Sequence, residues 1–139
     1  MAAFSKFNAF VEAMALKKHN LGTDVLKVML TLTAPVAANA VKADLTEIAA
    51  GNGYAAGGTQ AIITSCVQTA GVLKLILQDV LFTAAGGSIA NFRYAVLYND
   101  TAINDELIGF YDSGATQTIT VGNSFLVDFD PATGVLTDT

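Results

Sequence analysis

The spacing of apolar residues at the start of the chain predicts an amphipathic helix. Apolar side chains recur at intervals of three and four, the spacing that places residues on one face of an α-helix. We predict this helix over residues 4–18, with Asn20 and Gly22 ending it. The stripe packs on a core or docks at an interface, and it consists of Phe4, Phe7, Val11 and Met14, with Phe10 alongside.

The apolar period then changes to two, which indicates a strand. Residues 24–33, "DVLKVMLTLT", alternate between a face of Leu26, Val28, Leu30 and Leu32 and the opposite face. An irregular segment, Ala34–Gly58, follows and ends in the glycine-rich "GNGYAAGG", with one short helix allowed within it. A loop of this length in a compact domain usually makes contacts or serves a function.

Seven further strands are predicted in close succession, without helices between them. Gly122 and Asn123 are expected to form a two-residue type II′ turn between the last two. We therefore predict a mainly β fold, an antiparallel β-sandwich or jelly-roll-like domain with an N-terminal amphipathic helix. Residues 1–139 form a single domain, of which 1–22 are the helix and its cap and 23–139 the β domain. The seven strands are 59–67, 71–78, 80–84, 92–99, 107–112, 116–121 and 124–130.

The chain is unusually apolar, with 53% hydrophobic and only 14% charged residues. The longest charge-free run, residues 48–73, is broken by glycines and amides, so we predict no membrane span and no membrane partner. No signal peptide is visible in "MAAFSKFNAF". The surplus apolar surface predicts burial against other copies or a larger assembly, with a homo-oligomeric trimer as first expectation and a dimer as second.

Charge is unevenly distributed along the chain. Residues 1–99 carry all 7 Lys and Arg and 5 acidic residues, whereas residues 100–139 carry 7 acidic residues and no basic one. The net charge of −5 argues against a nucleic-acid partner, because such binding needs a basic face. The acidic end is either a solvated rim or a complement to a basic patch on a neighbour.

The sequence offers little material for catalysis or for a cofactor. His19 is the only histidine and Cys66 the only cysteine, so one of each must serve any triad or zinc site. Cys66 lies in the strand-like "AIITSCV" with no nearby base, and we expect it to fill apolar space. We predict that the protein is not an enzyme, with no catalytic, cofactor-binding or metal-binding residues and no cofactor.

Two weaker alternatives involve carboxylates and tyrosines. Asp128 and Asp130, with Asp112 near them, allow a calcium site, although no loop of calcium-binding pattern is present. Tyr98 and Tyr111, beside acidic and amide side chains, allow either a shallow sugar-stacking patch or an aromatic cross-strand cluster.

Several stretches, taken in order, resemble a known group of proteins. They are "HNLGTDVLKVMLT", "AAGNGYAAGG", "FRYAVLYNDT" with "LIGFYDSG", and "ITVGNSFLVDFDPATGVLT". Together they resemble small virion structural proteins of tailed bacteriophages and cyanophages, along nearly the whole chain.

The resemblance implies a non-enzymatic particle component, located in the virion after synthesis in the host cytoplasm. The expected role is a capsid decoration or cement protein that contacts the major capsid protein or another virion protein. The alternative is a tail- or fibre-associated protein, structural or binding a host glycan. The N-terminal helix and the Ala34–Gly58 segment are the expected contact regions, and the candidate interface residues are Phe4, Phe7, Val11, Met14 and Tyr54.

Overall fold

The computed structural model describes residues 4–129 and 136–138. The fold is mainly β with one short N-terminal helix, as the sequence predicts, and all strand pairs are antiparallel. The elements are β1 (Ser5–Lys6), α1 (Asn8–Ala15), β2 (Leu26–Thr31), a 3-10 turn (Lys42–Asp44), β3 (Thr59–Ala61), β4 (Ile63–Thr69), β5 (Val72–Leu77), β6 (Val80–Thr83), β7 (Ile89–Asn99), β8 (Leu107–Ile119), β9 (Ser124–Val127) and β10 (Leu136–Asp138).

The described strands form three sheets. A five-stranded sheet has the order β1-β8-β7-β2-β3, and two smaller sheets have the orders β10-β5-β4 and β6-β9. Side chains from all three sheets share one hydrophobic core, an arrangement consistent with a β-sandwich. Its fully buried members include Leu26, Leu30, Leu75, Phe82, Phe92, Ile108 and Val127.

The five-stranded sheet is covered on both faces. The alternation predicted for β2 is observed, because Leu26 and Leu30 enter the shared core while Met29 enters a second cluster on the opposite face. Phe7, before α1, and Leu45, from the long segment after β2, cover that second cluster. The N-terminal element and the long segment therefore cover one face of the five-stranded sheet.

The helix is shorter than predicted and is turned relative to the predicted stripe. It spans Asn8–Ala15 instead of residues 4–18, because the residues before it form β1, which pairs with β8. Its buried residues are Phe10 and Ala13, whereas Val11 is 57% exposed. The stripe predicted from spacing is therefore wrong at Val11, since the sheet contact at Phe7 fixes a different helix rotation.

The helix also ends earlier than predicted. The Lys17 backbone takes a left-handed conformation (φ 61°), and the N–H of Lys18 donates to the carbonyl of Ala13 at 2.9 Å. This bonding closes a helix in a Schellman motif, which glycine usually provides. Lys17, and neither Asn20 nor Gly22, is therefore the residue that ends α1.

The long segment predicted as a contact-making loop is bound to the protein's own sheet. The hydroxyl of Thr31 donates to the carbonyl of Thr46 at 2.5 Å, and the N–H of Ile48 donates to the carbonyl of Leu30 at 3.1 Å. The expected short helix is only the 3-10 turn Lys42–Asp44. The segment therefore contacts β2 of its own protomer.

Other strand boundaries differ from the predicted ones because of bends and bulges. The strand expected at 59–67 divides at Ile62 into β3 and β4, which belong to different sheets. The strands expected at 107–112 and 116–121 form one long β8, whose register against β7 shifts beside Gly114 (φ 91°).

The turn after β8 is not the predicted hairpin. The N–H of Asn123 donates to the carbonyl of Thr120 at 3.0 Å, so Val121 and Gly122 are the central residues. Gly122 has φ 85° in the second central position, as in a type II turn. The chain crosses here from the five-stranded sheet into the β6-β9 sheet.

Candidate functional site

The five candidate interface residues lie in different environments. Phe7 and Tyr54 are 0% and 2% exposed, so both belong to the core of the protomer. Phe4 and Met14 are half-buried against that core, and Val11 is mostly exposed. Of the five, Val11 offers most of its side chain to a partner.

Phe4 is held in place by a glycine that the sequence did not single out. A Cβ atom added to Gly109 would lie 2.2 Å from Cζ of Phe4 and 2.6 Å from the carbonyl oxygen of Ser5. The Phe4 ring also packs edge-on against Tyr111, with ring centroids 5.2 Å apart. Phe4 is thus a packing residue that fixes β1 to β8.

A surface cleft separates the end of α1 from the loop between β7 and β8. This helix–loop cleft has a volume of about 470 Å³ and is lined by residues 16–18, Asn20, Asp24, 101–104 and Glu106. Leu16 and Ile103 form apolar parts of its rim, and they are 57% and 98% exposed. Ile103 is therefore an apolar side chain projecting into solvent from an acidic loop.

A polar cluster beneath the cleft ties the helix end to this loop. The amide nitrogen of Asn99 donates to Oδ2 of Asp24 at 2.7 Å, and its oxygen accepts the N–H groups of Thr101 and Ala102 at 2.9 and 3.2 Å. The same amide nitrogen lies 3.0 Å from Nδ1 of His19. These bonds fix which way the buried Asn99 amide points.

The orientation of the amide assigns the tautomer of His19. Because the amide nitrogen of Asn99 donates to Nδ1, the proton of the neutral imidazole lies on Nε2. Burial lowers the pKa of His19, against the opposing effects of Glu106 and Asp24, so the neutral form is favoured. Nε2 of His19 and Oε2 of Glu106 are buried without a hydrogen-bond partner in the described part of the chain.

This arrangement leaves His19 without a lone pair for proton abstraction. Its Nδ1 already accepts a hydrogen bond and its Nε2 carries the proton. The cluster therefore holds two loops together in the geometry observed, and His19 is not placed as a general base.

A second polar cluster surrounds Glu47 in the long segment. Its Oε2 accepts hydrogen bonds from the hydroxyl of Tyr54 at 2.5 Å and from the N–H of Gly57 at 2.7 Å, and Nζ of Lys42 lies 3.3 Å from its Oε1. The Tyr54 hydroxyl in turn accepts the N–H of Leu30 at 3.1 Å. Burial and the bond to Glu47 raise the pKa of Tyr54, so the hydroxyl stays protonated and donates.

The carboxylates considered for calcium are not gathered at one place. Asp112 accepts two hydrogen bonds from the guanidinium of Arg93, at 2.8 and 3.1 Å, and this contact lowers the pKa of Asp112. Asp128 is exposed, and Asp130 lies outside the described residues. No group of three His, Cys, Asp or Glu within residues 4–129 and 136–138 is arranged to hold a metal ion.

The tyrosines considered for sugar stacking are buried. Tyr98 donates its hydroxyl to the carbonyl of Gly57 at 2.6 Å, and Tyr111 packs against Phe4 and Phe129. Their burial argues against a sugar-stacking patch, and they do not form one aromatic cluster either, because Tyr111 belongs to the shared core and Tyr98 to the second cluster. Cys66 is half-buried against the core, and burial raises the pKa of its thiol.

The sequence pattern did not identify the residues around the helix–loop cleft. Asn99 and Asp24 are 75 positions apart, so no local spacing joins them. The available signal was a histidine next to a helix end together with an apolar Ile103 inside the polar run "NDTAINDE".

Within the described ranges, no helix combines the length and apolar character needed to cross a lipid bilayer. Comparisons with protein families, curated proteins and solved structures find no match for this chain.

Proposed function

We propose that this chain is a structural protein of a tailed-phage virion, a decoration or cement subunit that binds the capsid lattice as a homo-oligomer. The order of motifs along nearly the whole chain supports this proposal, since it resembles that of phage and cyanophage virion proteins. The proposed location is the virion, after synthesis in the host cytoplasm.

The exposed apolar rim of the helix–loop cleft is the observation that carries the proposal. Ile103 and Leu16 project from the rim of a cleft whose charged lining residues are Lys17, Lys18, Asp24 and Glu106. A large apolar side chain in water at the tip of a loop is stabilised when a partner covers it. The cleft lining carries both signs of charge, two lysines and two acidic residues, so the apolar rim and not the net charge favours a partner at this surface.

Shell stabilisation by this protein requires binding and no chemical step. A subunit that binds only the assembled lattice stabilises it by mass action, in proportion to the logarithm of its free concentration over its dissociation constant. Each copy adds roughly 25 cal/mol for each Å² of apolar surface that it buries.

Deletion of the N-terminal residues is a poor test of this contact, because Phe7 and Phe10 belong to the core. Surface substitutions are better. We expect Ile103→Ser to weaken binding to purified mature heads at least tenfold, while Val121→Ser, which changes another exposed apolar residue, leaves binding unchanged. Sedimentation of heads with bound protein measures both.

The functional readout is the resistance of heads that lack the protein. They should release DNA at lower temperature or under weaker osmotic shock, and addition of the parent protein, but not of the Ile103→Ser variant, should restore resistance. If such heads are as resistant as complete ones and the protein is found on the tail, the tail- or fibre-associated role replaces the cement role.

A further inference from the structure

Strand β4 has one open edge. It is the outer strand of the β10-β5-β4 sheet and pairs with β5 along Ile63–Thr69. In the described part of the chain, no backbone hydrogen bond joins β4 to a strand other than β5. Its outward N–H and C=O groups are therefore available to another strand.

From Ser65 to Thr69 this edge lacks the usual protection against strand pairing. Natural edge strands are kept short, carry Lys, Pro or inward-pointing charges, or bend away at a β-bulge. The only register irregularity of β4 against β5 lies between Ile63 and Ser65, and the pairing is regular from Ser65 to Thr69. The β4 sequence "ITSCVQT" contains no charged residue and no proline. It is seven residues long, whereas the other described edge strands have two to four residues: Ser5–Lys6, Thr59–Ala61, Val80–Thr83, Ser124–Val127 and Leu136–Asp138.

A second copy of the same edge satisfies these open groups well. Because β4 is uncharged, two copies meet without electrostatic repulsion, and two antiparallel copies are related by a twofold axis. Val67 is 58% exposed and Ile62, just before the strand, is 50% exposed, so apolar side chains border the edge. Pairing removes part of this apolar surface from water.

We propose that β4 pairs antiparallel with β4 of a second copy, with the twofold axis at Cys66, the middle residue of the strand. The two sheets then form one continuous six-stranded sheet across a dimer. This pairing does not depend on the proposed virion role, and it selects the dimer over the trimer.

The proposed register places two exposed positions opposite each other. With the axis at Cys66, position 64 of one copy lies opposite position 68 of the other. Thr64 and Gln68 are both exposed, and Gln68 accepts the N–H of Gly71 at 3.0 Å through its side-chain oxygen. Replacement of Gln68 by Glu keeps that acceptor, so the neighbouring turn remains bonded.

Two double variants test the pairing at matched positions. Thr64→Glu with Gln68→Glu places like charges directly opposite each other across the axis, which is destabilising. Thr64→Lys with Gln68→Glu places opposite charges there. We expect sedimentation analysis at micromolar concentration to give a dimer for the parent, a monomer for the first variant and a dimer for the second.

Circular dichroism verifies that both variants are folded. A parent that sediments as a monomer or a trimer overturns the proposal, as does a first variant that remains dimeric. A second variant that is folded and monomeric also overturns it, because the proposed register then does not hold.

Discussion

At the scale of single residues, Glu47 organises the segment between β2 and β3. Its carboxylate joins Tyr54, Gly57 and Lys42, and Tyr54 connects this group to the backbone of β2. Buried polar groups of this kind cost free energy when one partner is removed, because the remaining groups lose their hydrogen bonds.

We therefore predict that Tyr54→Phe lowers the free energy of unfolding by about 1–3 kcal/mol, since the N–H of Leu30 loses its acceptor and Oε2 of Glu47 keeps only the N–H of Gly57. Tyr94→Phe is the matched control, because no hydrogen bond of the Tyr94 hydroxyl is found among the described residues, and it should change stability by less than about 0.5 kcal/mol. Urea denaturation measures both. Equal losses for the two variants would show that the hydrogen bonds of the Tyr54 hydroxyl contribute nothing to stability.

A second prediction at this scale concerns His19 and the pH dependence of stability. The unfolded chain protonates His19 below its ordinary pKa of 6.5, whereas the folded protein, with a lowered pKa, keeps it neutral. Protons bound only by the unfolded state favour unfolding. The stabilising contribution is therefore complete above pH 6.5 and is lost as the pH falls from 6.5 towards the folded pKa.

We predict that the melting temperature of the parent falls more steeply between pH 7 and pH 5.5 than that of His19→Gln. Glutamine can still accept the hydrogen bond of Asn99 but does not titrate. The surrounding Glu106, Asp24 and Lys18 are the same in both proteins. Parallel melting profiles across this window would contradict the assignment.

At the scale of elements, close backbone contact explains the glycine-rich segment before β3. A Cβ atom on Gly58 would lie 1.9 Å from the carbonyl oxygen of Val28, and Gly58 also has φ 82°. Gly71, in the turn between β4 and β5, has a similar φ of 84° but no atom within 4 Å of its added Cβ. A comparison of these two glycines therefore distinguishes the effect of backbone conformation on stability from the effect of steric crowding.

We predict that Gly71→Ala lowers the free energy of unfolding by about 1 kcal/mol, from conformation alone. Gly58→Ala should lower it by at least about 2 kcal/mol more, because the backbone of β2 must move. Thermal or chemical denaturation of both variants gives the comparison. A similar loss in both variants would contradict this prediction, because it would mean that the backbone at Gly58 can move away from β2 without a further loss of stability.

At the scale of the whole molecule, one shared core connects all three described sheets. A core of this kind favours a single cooperative unfolding transition. If folded copies also pair, as proposed for β4, unfolding is linked to dissociation and the melting temperature depends on protein concentration.

We predict one calorimetric transition whose midpoint rises with protein concentration over a hundredfold range. In the Thr64→Glu, Gln68→Glu variant the midpoint should be independent of concentration. Two resolved transitions in the parent would contradict the single-domain prediction, and a concentration-independent parent would contradict pairing.

The mainly β class, the N-terminal helix and most strand positions could be predicted from the amino-acid sequence. These features depend on local periodicity, and the alternation in "DVLKVMLTLT" needs only the chain's own spacing to place Leu26 and Met29 on opposite faces. The concentration of glycines in "GNGYAAGG" was likewise visible in the sequence, although the atoms that Gly58 approaches were not.

Tertiary structure alone decided the rotation of α1, the burial of Tyr54, the division of strands among sheets and the polar cluster of His19, Asp24 and Asn99. Each depends on which distant segments meet. Phe7 packs against the sheet, and the helix that follows it buries Phe10 and exposes Val11. The hydrogen bond to Glu47 holds the loop residue Tyr54 in the core. Local spacing carries no information on such contacts, because they are set by packing between residues far apart in the chain.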